Sequence, residues 1–487
     1  MGNEQKEKQD ITVQSMVFPN AVCDEQELFF RTSGKVKIDD NTLYLPTGTT
    51  LCTNTYMNCF DANTWSIYTN IQKWKLILEM RGSGNITLYS SPQKRVLGSI
   101  KSENSKEIRA YAMEFEIPKI EEFVYFEATT QEELYITDAY YVPVLNQQVL
   151  NEIHISLIIC TYKRNAEVMK NIQNIQSSLF FQRNTQLYGK LSIRIVDNAS
   201  ELEERNDAYI KVYHNPNTGG SGGFIRGILE TRKDALKYKI SHAIFMDDDV
   251  QFINETLYRL YGLLALMIEM YQQEVVAGRM FRMDQRNIQY TATEIWNGGD
   301  IIHIGLNQNM CKKKNLMHMN VRKGEYTGWW FGCFPMDFVK KELPLPFFLH
   351  CDDVEYGLRH GGCPITLNGI QVWHETYESR MTSTIQYYDM RNTLIVNTIR
   401  GYFKNEKELW SWWKQSVGSY AGCVALNDYL KGASYFEKYN QKKECIKRNI
   451  LLDRIYPYIF RIFIRQRFMN VSKSAFKSYK ERYANNL

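Results

Sequence analysis

The chain has 487 residues, of which 44% are hydrophobic and 23% are charged, and its formal net charge at pH 7 is +5. This composition is typical of a globular protein of about three domains and excludes a disordered or fibrous chain. The small net charge gives no indication of a nucleic-acid partner, and we expect none.

Targeting and cysteine features indicate where the protein works. Residues 1–10 are polar and lack the apolar core of a signal peptide. No apolar run reaches the roughly 20 residues needed to span a bilayer, and the longest lies at 260–268. The ten cysteines form no C-x-x-C pair. These features predict a cytoplasmic protein with reduced thiols and argue against a zinc site.

Residues 1–150 have the pattern of an all-β domain. Four short alternating or apolar stretches lie at 36–38, 74–78, 86–89 and 123–126. Turn residues separate them, as at 39–41 and 82–85. This punctuation, at intervals of about 8–12 residues, predicts an antiparallel β-sandwich. The domain shows no catalytic constellation, so we interpret it as a carbohydrate-binding or packing module.

An α/β pattern begins near residue 153. An apolar strand at 153–159 is followed by Thr161 and Arg164, and a helical pattern runs from about 166 to 179. A second apolar strand runs into Asp197. Alternation of strand, helix and strand, each ending in polar residues, predicts a nucleotide-binding α/β domain, which we assign to residues 151–403.

Residues 243–250 read Ala-Ile-Phe-Met-Asp-Asp-Asp-Val. An apolar strand therefore ends in three adjacent carboxylates, Asp247, Asp248 and Asp249, which repel one another unless a positive charge lies among them. Mg²⁺ and Mn²⁺ favour carboxylate oxygen and often share substrate phosphates as ligands. The octet predicts a metal–diphosphate site, with a solvated acidic turn as the alternative. A helical pattern follows, from about 255 to 270.

A glycine-rich segment lies between the second strand and the acidic triplet. It contains Gly219, Gly220, Gly222, Gly223 and Gly227, ahead of a helical pattern. Glycines let a backbone approach a ligand closely, and a helix N-terminus favours anions. The segment is neither a Walker A loop nor a G-x-G-x-x-G fingerprint, so a flexible turn is the alternative.

Two adjacent tryptophans, Trp329 and Trp330, stand between glycines. In a loop both rings could line a cleft and stack on the faces of sugars. In a strand they would point to opposite sides, which leaves one core and one surface tryptophan as the alternative.

Further along, Asp352, Asp353 and Glu355 lie at the predicted start of a helix. A neighbouring carboxylate raises the pKa of an acid, which can then act as a base; the alternative is a capping cluster. His374 could complete a metal site with Asp247 and Asp249, although a single histidine is more often structural.

From residue 404 onward the chain reads as a helical, basic region. Residues 441–487 contain twelve Lys and Arg against three Asp and Glu. Within them, 454–468 mixes arginines with aromatic residues. That mixture suits contact with an anionic membrane surface, and a helix packed on the catalytic domain is the alternative.

In chain order the motifs run T-Y-K-R, D-N-A-S, N-x-x-G-G-S-G-G, D-D-D, G-W-W, D-D-x-E and W-H. This order resembles the inverting family 2 glycosyltransferases of the GT-A fold, and more closely the bacterial galactofuranosyltransferases that build cell-wall galactan. The motifs cover about residues 150–400, and the flanks match by architecture. The resemblance implies metal-dependent transfer of a sugar, best matched by galactofuranose from UDP-galactofuranose, onto a glycan or lipid-linked glycan in cell-surface polysaccharide synthesis.

The resemblance also implies roles for individual residues. Asp353 is the catalytic base, and the ligands of Mn²⁺ or Mg²⁺ are Asp247, Asp249 and His374. The residues implied on the donor side are Thr161, Arg164, Asp197, Gly219, Gly220, Gly222, Gly223 and Asp248. The residues implied on the acceptor side are Trp329, Trp330, Asp352, Glu355 and Glu294. Relatives often carry histidine where this chain has Asp389, which bears on the identity of the donor or acceptor.

The expected architecture is thus an N-terminal β-sandwich, a GT-A α/β domain and a C-terminal helical region at 404–487. Peripheral contact with the inner face of the cell membrane is expected, and homo-oligomerisation stays open. Another nucleotide-sugar donor, as in a rhamnosyl- or galactosyltransferase, is the main alternative. A sugar nucleotidyltransferase is disfavoured because the glycine segment follows the second strand. A non-catalytic glycan-binding protein would have little reason to keep Asp247, Asp249, Asp353 and His374 together.

Overall fold

The computed structural model describes residues 11–117, 123–145, 150–316, 323–376, 382–416, 419–434 and 450–483. The polar start at 1–10, the basic cluster at 442–448 and the side chains of Arg454, Arg465 and Arg467 lie outside this description. Among the described residues, no helix is both long enough and apolar enough to cross a membrane.

The N-terminal part is a mainly antiparallel sheet with two short helices. Its strands are β1 (Gln14–Ser15), β2 (Arg31–Thr32), β3 (Lys37–Asp39), β4 (Thr42–Leu45), β5 (Thr50–Cys52), β6 (Lys73–Ser91), β7 (Arg95–Glu116) and β8 (Phe123–Pro143). Its helices are α1 (Gln26–Phe29) and α2 (Ala62–Tyr68). Strand β6 pairs along its length with both β7 and β8, so three long strands dominate the sheet.

The turn predicted at 82–85 is wrong, because β6 continues through it. The register against β7 and β8 shifts around Gly82 and Gly84, which identifies an irregularity within the strand. Gly82 has φ +100°, and a Cβ there would lie 2.1 Å from the Glu133 carbonyl oxygen, so only glycine permits this approach. The turn predicted at 39–41 is confirmed between β3 and β4, with Asp40 and Asn41 at positive φ. The two-layer sandwich remains a prediction.

The α/β part centres on a seven-stranded sheet. Its strands and helices in chain order are β9 (Ile155–Thr161), α3 (Asn165–Gln176), β10 (Leu191–Asp197), β11 (Arg205–Asn206), β12 (Ile210–His214), α4 (Gly219–Tyr238), β13 (His242–Asp247), α5 (Glu255–Leu266), β14 (Val276–Ala277), β15 (Arg279–Arg282), β16 (Ile288–Thr291), β17 (Glu294–Asn297), β18 (Asp300–His303), β19 (Gln308–Asn309), α6 (Lys313–Leu316), β20 (Gly332–Pro335), α7 (Met336–Lys341), α8 (Asp352–His360) and β21 (Gln371–His374).

The order of strands in the central sheet creates one switch point. The order is β11-β12-β10-β9-β13-β20-β14, and β12, β10, β9 and β13 are parallel. The chain moves outward from β9 through β10 to β12, then returns to place β13 on the other side of β9. Ligands of open α/β sheets bind beyond the carboxyl ends of strands at such a switch. The ends of β9 and β13 carry Thr161 and Asp247.

The glycines at 219–223 lie within α4 and do not form a loop before it. A Cβ at Gly223 would lie 2.0 Å from Cys160 Sγ, and one at Gly227 would lie 2.2 Å from Ile158 Cγ2. The absence of side chains therefore allows α4 to pack closely against β9. Close helix–strand packing explains Gly223 and Gly227 without any ligand.

A buried ion pair joins the N-terminal sheet to the α/β part. Arg259 Nε donates to Glu255 Oε1 at 2.9 Å within α5. The same guanidinium donates to the carbonyls of Met57 and Asn368, and Glu255 accepts from the Ser15 amide at 2.7 Å. Buried apolar residues from both parts form one continuous core. The predicted boundary at residue 150 therefore does not separate two hydrophobic cores.

Four helices follow the α/β part in the described C-terminal residues: α9 (Ser383–Ile399), α10 (Glu406–Ser416), α11 (Tyr420–Tyr429) and α12 (Ile450–Tyr483). They share a second core that includes Trp413, Tyr429, Phe468 and Tyr479. Cys351 and Val354 of the α/β part contribute to the same core. The helical region thus supports the segment from which α8 begins.

The close packing of α4 on β9 yields a stability prediction. Gly227→Ala should lower the free energy of unfolding by about 1–3 kcal/mol, because the new methyl group overlaps Ile158. The control is Gly220→Ala in the same helix, where the nearest heavy atom would be 3.9 Å away. There alanine should be neutral or stabilising by up to about 1 kcal/mol. Urea unfolding measures both variants, and equal stability would contradict the packing argument.

Candidate functional site

The acidic triplet lies at the switch point, at the end of β13. Asp247 pairs in register with Cys160, the residue before Thr161. Thr161 Oγ1 donates to Asp248 Oδ2 at 2.7 Å. Arg164 Nη1 donates to Asp248 Oδ1 and Asp249 Oδ2, both at 2.8 Å. Thr161, at the end of β9, and Arg164, just after it, thus stabilise the negatively charged carboxylates at the end of β13.

His374 reaches the triplet through strand pairing. It ends β21, which runs parallel to β15. Gln251, just after the triplet, and Trp373 exchange two backbone hydrogen bonds of 2.8 Å. This bridge holds the neighbouring imidazole in place: His374 Nε2 lies 3.0 Å from Asp249 Oδ1 and 3.7 Å from Asp247 Oδ2.

Asp247, Asp249 and His374 fit a divalent cation. Each offers a ligand atom, and these atoms all lie within 4.8 Å of one another. Two carboxylates and one imidazole are ligands that suit Mn²⁺, and the two carboxylates also suit Mg²⁺, which prefers oxygen. Because the protein supplies only three ligands, other coordination positions stay open to the phosphates of a donor. Burial, reinforced by Asp249 and opposed by His374, raises the pKa of Asp247 to about 7, although 39% of its side chain is exposed. A bound cation would hold the carboxylate ionised.

The segment before α8 has an unusual backbone. Phe348, His350 and Cys351 have φ of +74°, +64° and +61°. Such conformations cost of order 1–3 kcal/mol each and persist only when their surroundings fix them. Here Asn392 Nδ2 donates to the carbonyls of Leu349 and His350 at 2.6 and 2.8 Å. Helix α9 therefore sets where α8 begins.

The start of α8 presents Asp352 and Asp353, as the sequence predicts. Asp352 is buried and its Oδ2 accepts from Ser221 Oγ at 2.8 Å, which ties α8 to the glycine-rich start of α4. Asp353 is half-buried. Burial raises the pKa of Asp353 well above its usual range, and the charges of Asp352 and Glu294 add to the effect. The charge of Asp247 contributes as well.

Glu294 is buried on β17, which forms a hairpin with β18. Its Oε1 lies 2.8 Å from His303 Nδ1 across that hairpin. Its electrostatic influence on Asp353 is compatible with the predicted position beside the acceptor.

Trp329 does not line a cleft. Only 4% of it is exposed, and its ring packs 4.8 Å from Phe224, 5.1 Å from Phe245 and 5.8 Å from Tyr356. Trp330 is partly exposed, and its Nε1 donates to the Gly278 carbonyl at 2.8 Å. Trp329 therefore packs in the core against three other aromatic rings, and the acceptor role proposed for it stays a prediction.

Two further residues with predicted roles, Glu355 and Asp197, have partners within the protein. Glu355 is 1% exposed and accepts from Arg359 Nη2 at 2.7 Å, so it forms an ion pair inside α8, and its acceptor role stays a prediction. Asp197 is fully buried. Its carboxylate accepts from the amides of Ala199, Glu201 and Leu202 at 2.7–2.8 Å. Those bonds stabilise the turn after β10 and occupy the oxygens expected to bind the donor.

Gly219 and Gly220 lie where the start of α4 meets α8. Gly219 has φ +72°, and a Cβ there would lie 2.0 Å from the Phe348 carbonyl oxygen. Gly222 packs against Thr218 of the preceding turn. Of the four glycines predicted on the donor side, Gly220 has the most open surroundings.

The sequence analysis did not identify Ser221 or Asn392 as site residues. Both donate hydrogen bonds to partners more than forty positions away in the sequence. Ser221 and its partner Asp352 are 131 positions apart. Asn392 lies in the segment containing Asp389, which is half-buried on α9. Burial raises the pKa of Asp389 to about 6. Its charge reaches Cys351, directly before α8.

Two regions of this chain match the models of known protein families. Residues 156–318 match the family model for glycosyl transferase family 2. This chain carries a family 2 glycosyltransferase domain. Residues 21–143 match the family model for the galactofuranosyltransferase 2 N-terminal domain. The family 2 domain implies the GT-A nucleotide-sugar transferase fold, which agrees with the parallel strands and the switch point described above.

Two curated proteins are similar to this chain over most of its length. Galactofuranosyltransferase GlfT2 of Mycolicibacterium smegmatis is 24% identical over 381 residues, covering 70% of this chain and 56% of that protein. Galactofuranosyltransferase GlfT2 of Mycobacterium tuberculosis is 24% identical over 375 residues, covering 70% of this chain and 57% of that protein. This chain thus spans little more than half the length of these relatives.

Among solved structures, a carbohydrate-binding module of Cellvibrio mixtus lichenase 5A in complex with cellotriose aligns with 28% of this chain and 99% of its own. The identity is 9% and the TM-score is 0.21. A score this low supports no conclusion about the N-terminal sheet or a ligand.

Proposed function

We propose that this family 2 protein is a metal-dependent inverting glycosyltransferase. The observation that carries the proposal is the convergence of Asp247, Asp249 and His374 within 4.8 Å at the switch point. Asp353 begins α8 beside Asp352, which a hydrogen bond from Ser221 ties to the start of α4. A metal site can stabilise the charge that builds on a leaving diphosphate, and a nearby carboxylate can accept the proton of an acceptor hydroxyl, the two contributions that single-displacement sugar transfer uses.

The donor is proposed to be UDP-galactofuranose, because both curated relatives are named galactofuranosyltransferases. Asp247, Asp249 and His374 would hold Mn²⁺ or Mg²⁺, which when bound neutralises charge on the donor diphosphate. Arg164 lies at the same edge and offers a second positive charge to that diphosphate. Gly220 leaves the start of α4 open to the anion.

The acceptor is proposed to be a growing glycan on a lipid carrier. Asp353 removes the proton from an acceptor hydroxyl as its oxygen forms a bond to the anomeric carbon. The bond from that carbon to UDP breaks on the opposite face, so the configuration inverts and UDP leaves. Trp330 and Glu294 are the predicted acceptor residues whose placement remains compatible with this role.

A different nucleotide-sugar donor is the second candidate. The observation that favours it is Asp389, a half-buried carboxylate on α9, at a position where the family resemblance implies histidine. A carboxylate at position 389 in place of an imidazole changes which hydroxyl or phosphate groups of a substrate can approach that position. Assays of UDP release with UDP-galactofuranose, other UDP-sugars and dTDP-sugars distinguish the two candidates.

Replacing the base tests the mechanism. Asp353→Asn should leave donor binding nearly unchanged and reduce transfer by about 10²–10⁴-fold, because an amide cannot accept the proton. Donor affinity is measured by calorimetry with Mn²⁺ present, and transfer by UDP release. Asp300→Asn, an exposed acid on the β17–β18 hairpin, is the matched control. Full turnover by Asp353→Asn would reject the base assignment.

Glu294 allows a test of the raised pKa. Asp353 must be ionised to act, so activity should fall as the pH drops through its pKa. Removing a neighbouring negative charge lowers that pKa, so Glu294→Gln should move the acidic limb of the pH–kcat profile to lower pH. The profiles are recorded at saturating Mn²⁺, with Asp300→Asn as the control. An unmoved limb, or one shifted to higher pH, would contradict the electrostatic account.

A further inference from the structure

Glu294 is a buried acid with one neighbour that can carry the opposite charge. Only 3% of the residue is exposed. Its Oε1 lies 2.8 Å from His303 Nδ1, directly across the hairpin of β17 and β18. Within the part of the chain that the structure describes, no other Lys, Arg or His side chain lies at ion-pair distance from this carboxylate. The sugar transfer proposed above assigns no role to His303.

His303 is held on its other side by Tyr290. The Tyr290 hydroxyl lies 3.4 Å from His303 Nε2, and the centroids of the two rings are 4.7 Å apart. Tyr290 is buried, whereas 19% of the His303 side chain is exposed. The imidazole is thus fixed between a carboxylate and a hydroxyl, at a position that protons from solvent can reach.

Strand pairing directs the Glu294 side chain toward α8. Glu294 and Tyr326 form an antiparallel bridge with backbone hydrogen bonds of 3.0 and 3.2 Å. Directly opposed residues of antiparallel strands place their side chains on the same side. A Cβ at Gly357 would lie 2.5 Å from Tyr326 Cβ, so this side faces α8. Asp353 lies four positions before Gly357 and therefore on the same face of that helix.

The proton affinities of two groups agree with this arrangement. Burial raises the pKa of Tyr326 well above its usual range, and the charges of Glu294 and Asp353 add to the effect. Burial likewise raises the pKa of Asp353, and the charges of Asp352, Glu294 and Asp247 add to it. The negative charge of Glu294 therefore favours the protonated form of Asp353.

We propose that His303 is a positioning residue that keeps Glu294 ionised and directed at α8. It thereby sets the pH range in which Asp353 can act as the base, so the inference rests on the proposed function. A buried carboxylate without a cationic partner takes up a proton, because burial disfavours its charged form. With His303 beside it, Glu294 retains its charge and raises the proton affinity of Asp353. A higher proton affinity makes Asp353 a stronger base toward an acceptor hydroxyl.

The pH dependence of sugar transfer tests the inference. His303→Leu removes the partner, so Glu294 should become neutral, and the acidic limb of the pH–kcat profile should move to lower pH by about 0.5–1 unit. His303→Gln is also neutral and should move the limb in the same direction. His303→Lys retains a cation and should leave the limb at the wild-type position. Adding His303→Leu to Glu294→Gln should cause no further shift, and Asp300→Asn on the same strand is the control.

The protonation of Asp353 is also measured without any sugar. A carbodiimide couples an amine to protonated carboxyl groups, and fragment mass spectrometry separates the label on Asp353 from that on Asp352. The pH at which labelling of Asp353 falls to half should be lower in His303→Leu than in the wild type, by the same amount as the limb. Urea unfolding confirms that each variant is folded.

An unmoved limb and an unmoved labelling curve in the folded neutral variants would overturn the inference, as would a shift to higher pH. A shift that persists in the Glu294→Gln background would also overturn it, because His303 would then act by another route. If the wild type releases UDP from no nucleotide sugar, the proposed function fails, and the labelling curve still decides whether His303 controls the protonation of Asp353.

Discussion

Three consecutive carboxylates at the end of a buried strand are the constraint on which the site depends. Adjacent negative charges repel strongly at a partly buried site. Two other segments of the chain supply positive and hydrogen-bonding groups that offset this repulsion. Thr161 and Arg164 arrive from β9, the parallel neighbour of β13. His374 arrives through the bridge between Trp373 and Gln251. The positions of Thr161, Arg164 and His374 all follow from which strands pair. The sheet topology therefore determines the geometry of the proposed metal site.

The proposed base is held by a different set of contacts. Asn392 fixes the strained backbone at 348–351, and Ser221 ties Asp352 to α4. The donor side and the base side therefore meet at the paired starts of α4 and α8. A change in either helix would shift Asp353 relative to the acidic triplet. The C-terminal helices help to hold this position, because they share a core with Cys351 and Val354.

The central strands and the acidic triplet could be predicted from sequence, because an apolar run ending in polar residues is a local pattern. Strands β9, β10 and β13 and the start of α8 follow that pattern. The burial of Trp329 depends on partners far along the chain. Trp329 is buried by Phe224, Phe245 and Tyr356. The polar sequence around Asp197 does not reveal that its carboxylate binds backbone amides. Strand β6 continues through Gly82 and Gly84 because its register against β7 and β8 shifts there.

Locating the ion tests the central claim most directly. Crystals grown with Mn²⁺ and examined by anomalous scattering should show a strong peak within about 2.0–2.6 Å of a carboxylate oxygen of Asp247, one of Asp249 and a ring nitrogen of His374. Asp353 should lie on the side of that ion where the sugar binds. No peak among these three residues, or a peak ligated elsewhere in the chain, would contradict the account.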